Sequence, residues 1–182
     1  MWAVDVALLG PASIYSAGVV VRPMPKVEGV LSFGSESASA TGFEDDITSS
    51  ASITNTTFAI RGRYLPFGRH NLALEAGLAA GAIAVDGSAE DTSGNSVTYK
   101  REAVVPAMFG GLGYALRTDM GFRLNVLMGW VKYVGSMGDS TVETTGAFSD
   151  EDRAQAKTTL DDVSDGMVEG RLYLELGIGW AF

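Results

Sequence analysis

The chain has 182 residues, no cysteine, 23 glycines, 46% hydrophobic residues and a formal net charge of −9. Those figures exclude a disulfide framework and a cysteine-ligated metal, and the acidic balance with no basic stripe argues against nucleic acid. The length suits one domain, 1–182, and no run approaches the roughly 20 apolar residues of a membrane helix.

Apolar residues alternate with polar or small ones along most of the chain, as on strands with two unlike faces. Trp2 to Leu9 sets Trp2, Val4, Val6 and Leu8 against Asp5, and reads as mature sequence after a removed signal peptide. It is short for a spanning strand, and Gly10 to Ser13 is short for the connection that follows. Tyr15 to Arg22 and Val27 to Phe33 come next, joined by a tight turn at Pro23-Met24-Pro25. Phe58 to Tyr64 and Leu72 to Gly81 flank a second turn, Pro66-Phe67-Gly68-Arg69. Val104 to Leu116 and Phe122 to Val131 flank a third, Arg117-Thr118-Asp119. Pro106 lies inside its strand, so a bulge or a lost ladder bond is expected there. Ala40 to Ser52, Asp86 to Ser96 and Ser136 to Gly166 read as long polar loops.

The last strand, Val168 to Phe182, alternates without a break. Val168, Gly170, Leu172, Leu174, Leu176, Ile178, Trp180 and Phe182 oppose Glu169, Arg171, Tyr173, Glu175, Gly177, Gly179 and Ala181. The total is eight strands, an even number, with short turns at one end and long loops at the other: an all-β, eight-stranded antiparallel up-and-down transmembrane barrel.

Alternation does not say which face is inside, and a soluble lipocalin-like barrel binding an apolar ligand has the same period. Three features favour the membrane. Gly77, Gly81, Gly111, Gly113, Gly129, Gly177 and Gly179 stud the polar face, as a crowded lumen requires. Aromatics of the apolar parity gather toward two rims, with Trp2, Tyr64, Tyr114, Phe122, Trp180 and Phe182 at the turn end and Tyr15, Phe33, Phe58 and Trp130 at the loop end. The third is Phe182 itself, an aromatic final residue on a terminal strand.

That ending resembles the last strand of bacterial outer-membrane barrels, and the whole chain resembles the small ones: the OmpA transmembrane domain, OmpX and the opacity-type barrels. The resemblance implies residence in the bacterial outer membrane among its lipid and lipopolysaccharide. It also implies an assembly signal at Tyr173, Leu176, Ile178, Trp180 and Phe182, read by the outer-membrane assembly machinery. It is architectural, and the family spans many functions. The peptidoglycan tethering that OmpA suggests is not expected, because no periplasmic domain is read after Phe182.

On the inward parity lie Asp5, Glu28, Arg61, Arg63, Glu75, Arg123, Glu169, Arg171 and Glu175, nearly balanced in charge although the chain is acidic. An interlocked plug is expected, with Arg61 directly across from Glu75, because buried charges must be paired. The functional alternative is a gate along a narrow path for ions or small solutes, which an eight-stranded barrel has little room for.

Catalysis lacks the parts. The single histidine, His70, falls beside a turn, whereas the outer-membrane enzymes of similar build use one near the loop end. The loop serines therefore have no base in reach. Glu44-Asp45-Asp46 reads as solvated surface, and no metal or phosphate motif stands out. No cofactor is expected. Asp150, Glu151, Asp152, Asp161, Asp162 and Asp165 crowd the last loop without the spacing of a calcium loop. That loop is expected either to form a short helix or to extend the wall. Lys132, outward near the loop-end rim, is placed to meet a lipid phosphate. The expected role is structural: an anchor or scaffold whose loops present a surface to a protein partner.

Overall fold

The computed structural model describes residues 2–8, 14–44, 47–67, 70–146, 154, 157–158, 160–162, 165 and 170–182. Among these residues nine strands form a single sheet: β1 Trp2–Leu8, β2 Tyr15–Met24, β3 Val27–Glu44, β4 Ile47–Tyr64, β5 His70–Asp91, β6 Ser96–Arg117, β7 Phe122–Tyr133, β8 Thr141–Thr145 and β9 Arg171–Ala181. Eight of them close into a ring. Neighbours in the chain pair antiparallel from β1 to β7, β7 pairs with β9, and β9 returns to β1. The seam is continued by the backbone bond from Phe182 N–H to Trp2 C=O, 3.0 Å. The ninth strand, β8, lies beside Ser96–Lys100 of β6, above the point where β7 stops.

Three segments read as loops contain strands. β3 and β4 stay paired from Val27–Tyr64 to Glu44–Ile47, and β5 and β6 from His70–Leu116 to Glu90–Ser96. Residues 40–52 and 86–96 are therefore mostly ladder, and part of 136–166 is β8. Their sequence hides this because both faces are small or hydroxylated once neither meets a greasy surface, so the period-2 signal vanishes while the backbone pairing continues. At the β5–β6 tip, Asp91 accepts from Ser93 N–H and Asn95 N–H, both at 2.9 Å, and Gly94 takes the positive φ of 82° that the turn demands.

The turns also shift. Met24 still belongs to β2, with a register shift between Val21 and Met24, and the first turn is Pro25-Lys26. Arg117 is the last residue of β6 and faces inward, not part of a turn. Pro106 causes no bulge against β5, where Ala80–Pro106 sits in unbroken register. Its carbonyl accepts from Val134 N–H at 2.7 Å, so its ring nitrogen faces the same side, where the β7 ladder ends at Tyr133. The missing donor costs little at that position. Gly10 to Ser13 lies outside the described residues.

Candidate functional site

Side chains of one parity fill the ring and those of the other cover it. At the turn end, four carboxylates and four guanidiniums form one connected array: Asp5 from β1, Glu28 from β3, Arg61 and Arg63 from β4, Glu75 from β5, Arg117 from β6, Arg123 from β7 and Glu175 from β9. None is more than 6% exposed, Arg117 being the most. Glu28 is the hub. It accepts Arg117 Nε and Nη2 at 3.0 and 2.9 Å, and Arg123 Nη1 and Nη2 at 3.1 and 3.0 Å. Arg123 reaches on to Asp5 at 2.8 Å through Nε. Arg63 pairs with Glu75 at 2.7 Å, donates to the side-chain Oδ1 of Asn125 at 3.0 Å, and lies 3.5 Å from Glu28. Arg61 joins Glu75 to Glu175.

The formal charges cancel, and every strand of the ring except β2 contributes. Each guanidinium meets carboxylate oxygens, Arg61 through Nη1 alone, which offsets desolvation that would otherwise cost several kcal/mol per ion. The register corrects one expectation: Glu75 stands opposite Arg63, and Arg61 stands opposite Gly77. The β4–β5 turn is centred one residue later than equal division about Gly68 implies, so Arg61 reaches Glu75 diagonally, at 3.3 Å. Glu169 lies outside the described residues, as does the side chain of Arg171, whose backbone pairs with Val131.

Above the charges the lumen turns apolar. Ala79, Ile83, Val105, Phe109, Val131, Tyr133 and Tyr173 pack into one cluster, with the Phe109 and Tyr173 rings edge to face at 6.3 Å. Tyr173 occupies space left by glycines: a Cβ on Gly111 would lie 2.6 Å from its hydroxyl, and one on Gly129 2.7 Å from its ring. Higher still, Leu160 packs on this cluster and Arg101 donates to the carbonyls of Met137 and Gly138 at 2.8 and 2.9 Å. Tyr99 donates to Asp161 at 2.9 Å, so the helical residues 160–162 sit across the mouth. Of the two readings kept open for this segment, the described residues favour a short helix. Asp45, Asp46, Asp150, Glu151 and Asp152 lie outside the described residues, and no described group of acidic or histidine side chains could hold a metal ion.

The outer face is the apolar one. Val4, Leu31, Ile60, Leu74, Leu78, Met128, Leu174 and Ile178 are all exposed there. At the turn end Trp2, Tyr64, Tyr114, Phe122, Trp180 and Phe182 project outward, with the Trp2 and Phe182 rings stacked at 4.9 Å. At the other rim Tyr15, Phe33, Phe58 and Trp130 do so, and Phe33 is paired directly with Phe58. Beyond them the outward positions become Ser35, Thr56 and Asp86. Lys132 is exposed and paired with Met108 just past Trp130. In the terminal strand Leu176, Ile178, Trp180 and Phe182 face outward, whereas Tyr173 faces the lumen.

Sequence reading missed Arg117, Asn125 as a partner of Arg63, and Arg101. Arg117 carries the β6 inward parity one residue past the expected strand end, and Arg101 carries it back into a segment ahead of the expected start. Extending the alternation at both ends finds them.

A closed, eight-stranded antiparallel barrel with an apolar exterior and an interior filled by a charged layer and an apolar one has the fold of the outer-membrane β-barrels. Neither a protein-family model nor a characterised protein sequence matches the chain. Among solved structures it is similar to CarO of Acinetobacter baumannii (TM-score 0.57, 15% identity, 99% of this chain and 97% of that one). It is also similar to CarO2 of the same species (TM-score 0.61, 11% identity, 100% and 98%) and to a major outer membrane protein of Thermus thermophilus (TM-score 0.61, 15% identity, 100% and 98%).

Proposed function

We propose that this chain is an integral barrel of the bacterial outer membrane, delivered with a signal peptide since removed, whose role is structural: it anchors a stable, non-catalytic wall and presents its long hairpins to a partner outside the cell. The observation that carries the reading is the outward apolar band held between two aromatic rims, which suits a bilayer with two interfaces. A soluble barrel of the lipocalin kind puts its apolar face inside, the reverse of this one. The hydroxyl-rich hairpins then stand on the lipopolysaccharide side and the tight turns on the periplasmic side. In this reading the assembly machinery recognises the outward ridge Leu176, Ile178, Trp180 and Phe182, with Tyr173 acting from within the wall.

The lumen supports an anchor over a pore. A neutral ionic layer and an apolar layer lie in series, and an ion passing both must break several charge-assisted bonds and then shed its water. Refolding into micelles tests the membrane reading: a β-rich species whose gel mobility changes only after boiling is expected, and folding in plain buffer overturns it. Planar-bilayer recording tests the role. Silence at all voltages is expected, and steady single-channel steps would transfer the assignment to the pore reading.

A further inference from the structure

The periplasmic rim of the proposed barrel carries a feature that neither the lumen nor the hairpins explain. The Pro25-Lys26 turn and the segment after β4 are tied together by Leu65 N–H donating to the Lys26 carbonyl at 2.8 Å. Between them lies a shallow, open cleft of about 540 Å³ lined by Arg22, Met24, Lys26, Phe67 and three prolines. Prolines at 23, 25 and 66 have fixed φ and no N–H of their own, so the cleft walls are stiff and offer few backbone donors. Its donors are the two cationic side chains. A guanidinium nitrogen of Arg22 holds the Pro25 carbonyl, while Nε of Arg22 is buried without an acceptor among the described residues.

The lining has two positive charges and no carboxylate, in a chain with 22 acids and 13 bases. Glu28, the nearest acid in sequence, points into the lumen and is taken by Arg117 and Arg123. Beside the cations stand two exposed apolar side chains, Met24 at 59% and Phe67 at 77%. The site lies just beyond the turn-end aromatic rim, since Val27 pairs with Tyr64 and Val21 with Trp2. That is the depth at which lipid phosphates sit. Positive charge at phosphate depth with apolar contacts at its edge matches one kind of molecule.

We propose that this cleft binds the phosphate of an anionic glycerophospholipid of the periplasmic leaflet, with Arg22 and Lys26 on the phosphate and Met24 and Phe67 against the glycerol and first acyl carbons. The proposal rests on the membrane reading, and free phosphate has nothing to place on Met24 and Phe67.

The test is native mass spectrometry of the heat-modifiable, detergent-refolded barrel, titrated with phosphatidylglycerol and with phosphatidylcholine of identical acyl chains. The wild-type protein is expected to retain one phosphatidylglycerol roughly tenfold better than phosphatidylcholine. Lys26→Gln should remove most of that preference and Arg22→Gln with Lys26→Gln all of it, while Lys100→Gln at the opposite end leaves it intact. Phe67→Ala should lower retention of both lipids, and excess inorganic phosphate should not strip the bound lipid. Equal retention of the two lipids, or a preference unchanged in Lys26→Gln, overturns the proposal, and displacement by inorganic phosphate overturns the choice of a lipid. If the double variant does not refold, Lys26→Gln decides, because that residue is exposed on a turn. A wild-type protein with no heat-modifiable form would instead sink the membrane reading, a separate result.

Discussion

Arg63 stands directly across the β4–β5 ladder from Glu75 and donates to a single carboxylate oxygen from both Nε, at 3.0 Å, and Nη2, at 2.7 Å. The other oxygen of Glu75 takes Arg61. Glu75 therefore neutralises parts of two buried guanidiniums. Replacing it with alanine strands that charge, and a cost of roughly 3–5 kcal/mol is expected. Glu90 lies on the outward parity of the same strand and is exposed, so Glu90→Ala should stay within about 0.5 kcal/mol. Denaturant unfolding in micelles compares the two, and equal midpoints would remove the interlocked array as a source of stability.

Within the array the carboxylates are unequal. Glu28 serves both Arg117 and Arg123 through four hydrogen bonds, whereas Asp5 serves one guanidinium, Arg123, together with the amide of Asn125. Glu28→Gln takes charge from three buried cations, Arg117, Arg123 and, at 3.5 Å, Arg63, and Asp5→Asn from only one. The first should lower the unfolding midpoint clearly more than the second; the reverse order would mean that Arg117 finds adequate acceptors in the Leu116 and Leu124 carbonyls it already touches at 2.8 and 3.3 Å.

Small size at certain inward positions is obligatory. A Cβ at Gly113 would lie 2.0 Å from the Val126 carbonyl oxygen, and one at Gly129 would lie 2.3 Å from that of Gly110. These neighbours are backbone of the facing strand and cannot rotate away. Gly62, on the outward side, would meet nothing closer than 3.9 Å. Gly113→Ala and Gly129→Ala should sharply reduce the folded, heat-modifiable fraction, while Gly62→Ala refolds like the wild type. A normal yield from Gly129→Ala would show that β6 and β7 can part at little cost.

These contacts also mark what a reader of the sequence could see. Phe122–Val131 and the terminal strand alternate cleanly because each has one face on the apolar exterior and one toward a filled lumen, two environments that select opposite chemistries. Asp5, Glu28 and Glu75 were legible for the same reason, as charges on the face that elsewhere carries glycine. The hairpin ladders were not, because residues such as Ser50 and Ser88, hydrogen-bonded at 2.8 Å, look alike on both faces once the outward apolar band ends. Nor was the exact partner of Glu75, since a one-residue change in turn centre moves it from Arg61 to Arg63 without altering any pattern in the sequence. Arg117 was lost to a turn assignment, although it continues the inward parity of β6.

The last prediction concerns the segment laid across the mouth. Asp161 accepts from the Tyr99 hydroxyl at 2.9 Å and from Lys157 Nζ at 2.5 Å. Burial pushes its carboxyl upward, yet the hydrogen bonds from Lys157 and Tyr99 outweigh that and hold it below the ordinary carboxylate range. A folded-state value below the free one means that the contact favours the closed segment at any pH above the ordinary range of about 4, and that this contribution fades as pH falls through the lower folded value. Protection factors of the amides of residues 157, 158 and 160–162, taken against the intrinsic exchange rate at each pH, should therefore fall on acidification from about pH 5 to pH 3, ahead of those in the barrel strands. Asp161→Asn should show the lower protection factor already at neutral pH and lose its pH dependence. Protection that is equally pH-sensitive in Asp161→Asn would assign the effect to other groups and leave Asp161 without a part in holding the mouth closed.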